Sequence, residues 1–278
     1  MSSYYEGLLA LLGINILLGL SVYAPLATGQ LSLGNAGFMA VAAYAVSVLT
    51  VYAGVPLVAA LPAGALLAGC LGILVGFPAL RLRGIYLAIA TLGFGEIVRN
   101  FFLTFGPTGG PMGMRGMSGA TLPLIWGTVT TVLLAGIILT GTRVGLALDA
   151  VRDDDLVAEL MGLPVTWIKV SAFGVGAAIA GLGGGLYAHY LYFIEPSAFG
   201  FLESIYMVLF VLLGGMQNLW GAVLGAAAFT FLPEILRPVK DWRGTFFGGA
   251  IVIMLIARPS GLLPREFLRF NIALLVGR

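Results

Sequence analysis

No lysine or arginine precedes Arg81, and the chain before Thr142 is dominated by apolar runs, near Leu8–Thr28, Phe38–Tyr52, Val55–Leu80, Gly84–Phe105 and Thr121–Gly141. A bilayer crossing needs about 20 mainly apolar residues, so runs of this kind fit a membrane far better than water. Four more follow, near Val170–Tyr192, Phe201–Gly215, Trp220–Leu236 and Gly244–Ala257. Nine spans would use roughly 180 residues and leave only short loops. The expected fold is therefore all-α, a polytopic transmembrane helical bundle of about nine spans. Residues 1–278 form a single transmembrane domain with no room for a soluble one. Composition agrees: 60% of residues are hydrophobic and 9% charged, against roughly 25% charged in soluble domains. The start, MSSYYEGLLALLG, lacks the basic region of a cleaved signal peptide and reads as a retained first helix.

The long polar interruption is Thr142–Lys169, which holds five of the twelve acids: Asp149, Asp153, Asp154, Asp155 and Glu159. With apolar spans on both sides it must emerge from the bilayer. Val151, Leu156, Val157, Leu160 and Leu163 can line one side of a short helix while the acids crown the other. Gly162 and Pro164 then stop it. A solvated connector is the plain alternative. Connectors between helices need only a few residues, however, and a solvated one would not carry an apolar stripe. The pattern points to a protein partner.

Between the first two spans lies GQLSLGNAGF, residues 29–38. Lipid leaves backbone amides unpaired at a cost of several kcal/mol, so a glycine-broken polar stretch at membrane depth must sit in protein or line a cavity. Such breaks point to solute pathways. Gln30, Ser32 and Asn35 are the pathway candidates, with Thr91 and Glu96 beside them, and an interhelical turn is the alternative. Glu96 and Arg99, three apart, can equally neutralise each other. Glu203 and Glu234 sit at span ends and carry the same two readings. His189, among Tyr187, Tyr190 and Tyr192, reads as a member of an interfacial aromatic belt. The glycine-rich runs at Gly174–Gly185, Gly214-Gly215 and Gly221–Gly225 contain small-xxx-small spacings, at Gly181/Gly185 and Gly221/Gly225, as does Gly72/Gly76, and read as helix-packing positions. No phosphate-binding GxxxxGK[ST] loop occurs, so any ATP would bind another chain. Net charge is only +2 and scattered, which argues against nucleic acid, and the lone Cys70 allows neither a disulfide framework nor a cysteine metal cluster. No catalytic residue, cofactor or metal is expected.

Ala158-Glu159, Gly162 and Leu163-Pro164 resemble the cytoplasmic loop of ABC-transporter permeases. GQLSLGNAGF, RLRGIYLAIATLGFGEIVRN at 81–100, TGGPMGM at 108–114 and ARPSGLLP at 257–264 extend the likeness over nearly the whole chain. Together they resemble the branched-chain amino acid permease family, its M-type subunit. The resemblance implies the membrane subunit of an ATP-driven importer in a bacterial inner membrane, not itself an enzyme. It implies partners too: a homologous permease, two ATPase subunits and a soluble binding protein. The substrate would be a branched-chain or other small neutral amino acid, although urea, short amides and aromatic acids are carried by similar systems. It makes 142–169 the coupling segment, with Asp153, Asp154, Asp155, Leu156, Glu159, Leu160, Gly162, Leu163 and Pro164 docking on an ATPase. If that segment is cytoplasmic, alternation of spans places nine of the 14 basic residues inside. The N-terminus is then outside and the C-terminus inside. An ATP-independent secondary transporter is the rival reading, and a membrane enzyme a third. Neither explains the long acidic segment.

Overall fold

The computed structural model describes residues 2–216 and 218–235, with Gly248, Gly249 and Val252. But for those last three positions, the expected span at 244–257 lies outside the described residues. So do the ARPSGLLP motif and the basic residues from Arg237 onward. Ten helices are described: α1 (Ser2–Leu26), α2 (Asn35–Val51), α3 (Leu57–Ala79), α4 (Ile85–Thr104), α5 (Leu122–Thr140), α6 (Arg143–Asp153), α7 (Asp155–Leu160), α8 (Val165–Leu191), α9 (Phe201–Gly214) and α10 (Leu219–Ile235). The glycine-rich loop after α4 folds into two short 3-10 turns. Its Met114–Arg115 (β1) then pairs antiparallel with Phe193–Ile194 (β2), a two-residue ladder that the sequence did not announce.

Helix α8 is the axis of the bundle, packing against α1, α2 and α3. Lipid tails are as apolar as leucine, so helices here associate by close backbone approach at small residues. Gly72 of α3 faces Ala177, and Gly181 of α8 faces Ala68 and Ala42. At Gly184 a Cβ would stand 2.2 Å from the Met39 carbonyl oxygen, so only glycine fits there. Gly225 of α10 lies as tightly against the α9 backbone at Phe210. The expected small-residue pairs are thus packing positions.

α1, α3 and α5 end, and α4 and α8 begin, at one end of the bundle, where Gly29, Arg81–Gly84 and Asp155–Lys169 meet. At the opposite end the Tyr52 hydroxyl donates to the Pro107 carbonyl at 3.2 Å. With 17 residues, α2 is about 25 Å long, short of a hydrocarbon layer of about 30 Å. The non-helical run before it lengthens this segment of the bundle. It starts at the turn that closes α1 and is already bonded to Thr91, seven residues along α4, when it reaches Leu33.

Five described helices are long and apolar enough to cross a membrane: α1, α3, α4, α5 and α8. α9 and α10, expected as separate spans, meet at 116° and together make at most a sixth. α9 has 14 residues, about 21 Å, and so is too short to cross alone. α10 returns along α1, where the Asn15 side-chain amide donates to Thr230 Oγ1 at 2.9 Å. An apolar run in the sequence does not say whether it crosses or turns back, and among the described residues five helices, or six with the bent pair, meet the length and composition of a crossing.

His189 is not an interfacial belt residue. It is fully buried, with Nδ1 2.8 Å from the Gly185 carbonyl and Nε2 2.8 Å from Thr50 Oγ1. The carbonyl can only accept, so Nδ1 carries a proton and the ring bridges α8 to α2.

Gly184→Ala should lower the unfolding temperature of the detergent-solubilised protein, at a cost of about 1–3 kcal/mol for forced overpacking. Gly93→Ala is the control, since a Cβ there meets nothing within 4 Å, and it should be neutral or stabilising by up to about 1 kcal/mol. Equal melting of the two variants would contradict the close α8–α2 packing.

Candidate functional site

The break between α1 and α2 is held by a small polar network. Pro25 lies in the last turn of α1, and the Thr28, Gly29 and Gln30 amides fold back onto the carbonyls of Pro25 and Leu26. Gly29, at φ 78°, reverses the chain. The Leu33 N–H donates to Thr91 Oγ1 at 3.0 Å, and that hydroxyl donates in turn to the carbonyls of Leu87 and Ala88, each at 3.0 Å. Ser32 Oγ accepts from the Gly34 N–H at 3.2 Å. The Asn35 amide donates to Ser21 Oγ at 2.9 Å, and the Ser21 hydroxyl donates to the Leu18 carbonyl. The Ala36 N–H reaches Ser204 Oγ of α9 at 3.4 Å.

Three of the five pathway candidates, Ser32, Asn35 and Thr91, therefore each commit at least one hydrogen bond to the break itself. Gln30 does not. It is 4% exposed, and neither side-chain amide atom has a partner among the described residues. Glu96 stands apart, more than a turn beyond Thr91, half-exposed and paired with Arg99 at 2.6 Å. Sequence reasoning missed Ser21 and Ser204. A lone serine in an apolar helix usually bonds its own preceding turn, as Ser21 also does, so its sequence carries no sign of a tertiary partner.

The acidic stretch is two helices rather than one. Asp154 takes an extended conformation between α6 and α7 and caps α7, its Oδ1 accepting from the Leu156 N–H at 2.9 Å and the Val157 N–H at 3.1 Å. Asp155 follows in the first turn, where a negative charge suits the helix dipole. Asp153 instead ends α6, 3.9 Å from Arg152 Nε. The break reorients the expected stripe: Val151 and Ala158 are buried, Leu163 is half-buried, and Leu156, Val157, Leu160 and Met161 face outward, Leu160 and Met161 each 80% exposed. Gly162, at φ 83°, closes α7: its N–H bonds the Glu159 carbonyl and the Leu163 N–H bonds the Ala158 carbonyl. That pairing is the left-handed glycine cap of a helix C-terminus. The space around Gly162 is open, so glycine is needed there for conformation rather than for close approach. Pro164 then starts α8.

Break and acidic stretch meet. A cleft of about 620 Å³ is lined by Gly29 and Gln30, by the Arg81–Gly84 corner, and by Asp155, Glu159, Thr166 and Lys169. A neighbouring hollow of about 410 Å³ shares Gly29, Arg83, Asp155, Glu159 and Lys169 with it. Lys169 on α8 pairs with Asp155 on α7, and Arg152, paired with Asp149 at 2.6 Å, packs over Gly29. The cleft brings together residues 29, 83, 155 and 169, which no spacing in the sequence connects.

A chain built in this way is a multi-span helical membrane protein with a polar break between its first two helices and a capped amphipathic segment between α6 and α8. It belongs to the permease-component family of branched-chain amino acid transport systems, whose model matches residues 4–257. It is 35% identical over 91% of its length to the high-affinity branched-chain amino acid transport system permease protein LivM of Salmonella typhimurium and, to the same extent, to that of Escherichia coli. The alignment spans 66% of the length of each of those two relatives. It is also 28% identical, over 68% of its length, to the autoinducer 2 import system permease protein LsrC of Yersinia pseudotuberculosis, covering 60% of that protein. No solved structure matches.

Thr91→Val should destabilise the protein by about 1–3 kcal/mol, because the Leu33 N–H keeps its place and loses its acceptor. Thr91→Ser, which retains the hydroxyl, should melt within a few degrees of the parent. Indistinguishable melting curves for the valine and serine variants would show that this bond does not hold the break.

Proposed function

We propose that this chain is the membrane subunit of an ATP-driven importer, carrying branched-chain or other small neutral amino acids handed over by a soluble binding protein. It works beside a homologous permease and two ATPase subunits that hydrolyse the ATP, in a bacterial inner membrane. Residues 1–278 act as one transmembrane domain, and 142–169 is its cytoplasmic coupling segment. The observation that carries the reading is α7. This short helix is capped at both ends, presents Leu156, Leu160 and Met161 to the outside, and carries Glu159 beside them. An amphipathic helix of this kind fits a groove on another protein. Its acids would be repelled by an anionic membrane surface.

Sidedness rests on charge. Of the seven described lysines and arginines, Arg81, Arg83, Arg143, Arg152 and Lys169 lie at the α7 end, and only Arg99 and Arg115 lie toward the other. Basic residues favour the cytoplasmic side. The amino-acid substrate follows the relatives at 35% identity, which are named for branched-chain amino acids. The more distant LsrC relative is named for autoinducer 2 import, so other substrates occur among similar permeases. A transporter without ATPase subunits would have no use for an exposed, doubly capped α7.

Leu160→Asp should leave the permease inserted and folded while amino-acid uptake falls on the order of 30-fold or more, as when an apolar anchor is removed from a binding groove. ATPase subunits should be lost on purification, or should hydrolyse ATP without uptake. Parental uptake with a full complement of ATPase subunits would return α7 to the status of a loop. In a Cys70→Ala background, Tyr52→Cys should react with an impermeant thiol reagent in intact cells. Leu82→Cys and Asp154→Cys, both exposed at the opposite end, should not; the reverse pattern would invert the topology.

A further inference from the structure

Gln30 lines the cleft, and its side chain is the least easily explained feature of the site. A primary amide has two donor hydrogens and one acceptor oxygen, and burying it without partners costs free energy that folding would not otherwise tolerate. Both amide atoms are nonetheless buried and unpartnered among the described residues. The remaining cleft wall is chemically mixed. Arg81 and Arg83 are exposed and make no side-chain hydrogen bond or ion pair with any described residue, and neither does the carboxylate of Glu159. Asp155 and Lys169 are already committed to each other. The cleft thus offers guanidinium donors and one carboxylate that no other side chain engages, together with a buried amide that has no partner among the described residues, in a volume within the roughly 300–1,000 Å³ of small-ligand sites.

A bare anion would be served by the arginines alone and would be repelled by Glu159. A bare cation faces the opposite conflict. A solute bearing a carboxylate and an ammonium on one carbon satisfies both signs, and the amide can both donate to the first and accept from the second. We propose that this cleft is a binding site for an α-amino acid zwitterion, with the solute carboxylate on Arg81 and Arg83, its ammonium on Glu159, and Gln30 bridging the two. The cleft lies at the α7 end of the bundle, so on the importer reading, on which this inference rests, it is the release site on the cytoplasmic side. The Asp155–Lys169 pair in its wall would place an occupied cleft in direct contact with the coupling segment.

The test uses the permease with the subunits that co-purify, in nanodiscs of neutral phosphatidylcholine and without binding protein. Saturation-transfer NMR should show L-leucine binding, and 4-methylpentanoate, 3-methylbutylamine and inorganic phosphate should bind more weakly. Gln30→Leu and Arg83→Ala should each weaken leucine binding about tenfold or more, as expected for a lost hydrogen bond to a charged group. Arg83 is exposed, so its alanine variant carries the test if the Gln30 variant fails to accumulate. Phosphate or 4-methylpentanoate binding as tightly as leucine would replace the zwitterion site with an anion site. Leucine binding that ignores both substitutions would place it elsewhere. Uptake by the complete assembly is measured in parallel: normal leucine uptake with no leucine signal overturns this inference alone. Absent uptake of any neutral amino acid, with cleft binding intact, overturns the importer reading instead.

Discussion

The bond from the Leu33 amide to Thr91 is the constraint on which the centre of the molecule depends. A chain that leaves helical geometry within a membrane bundle exposes backbone groups that lipid cannot satisfy, and here six of the amides between Thr28 and Ala36 have a protein partner. Thr91 takes one amide, Ser32 another and Ser204 a third, while the carbonyls of Pro25 and Leu26 take those of Thr28, Gly29 and Gln30. The consequence is geometric: with its first part extended, the chain starts α2 beside Thr91, about two turns along α4 rather than at that helix's end. The start of α2 is thereby enclosed by α1, α4 and α9. A continuous helix would have satisfied itself and left nothing to hold Gln30 at the cleft.

Much of this was legible in the sequence, for specific reasons. The break announced itself because polar residues and glycines interrupt apolar runs, and the helix stop at Gly162 because glycine at a left-handed cap is a local matter of φ. The α6–α7 division was not legible. Asp154 is both a poor helix-interior residue and a good cap, but so are Asp153 and Asp155, and only the buried side of α6 selects among them. Val151 went to that buried side, which turned the expected stripe into two separate faces. His189 was misplaced for a similar reason. Its aromatic neighbours suggest an interface, whereas its two hydrogen bonds lie across the α2–α8 contact, a tertiary fact with no sequence period.

The crossing count shows the same limit. Apolarity measures what a segment avoids, not which way it runs, and the glycines that bring α9 and α10 together are of the same kind as those that pack the true crossings. Gly214, Gly221 and Gly225 make backbone contact across the 116° bend, as Gly184 does between parallel stretches of the core. Only the geometry of the bend separates the two uses.

Stiffness and looseness are distributed unevenly, and this bears on how a push at α7 would travel. Between α7 and α8 there is a short link, Met161–Pro164, reinforced by the Asp155–Lys169 pair. From Lys169 onward α8 is a single helix that meets α3 and α2 at glycine positions with no slack: Gly72 against Ala177, Gly184 against the Met39 carbonyl. Close-packed contacts of this kind do not deform gradually; they slide or rotate as units. α5, by contrast, is largely exposed and touches the bundle chiefly through α1. Under the importer reading, a displacement of α7 is therefore felt first by α8 and its partners α2 and α3, of which α2 leads out of the polar break, while α5 is left behind. The cleft lies at the joint between these two regimes. Its walls come from α3, α4, α7 and α8 and from the break, so any movement of α8 relative to the Arg81–Gly84 corner changes the spacing between Arg83 and Glu159, and with it the hold on whatever occupies the space between them.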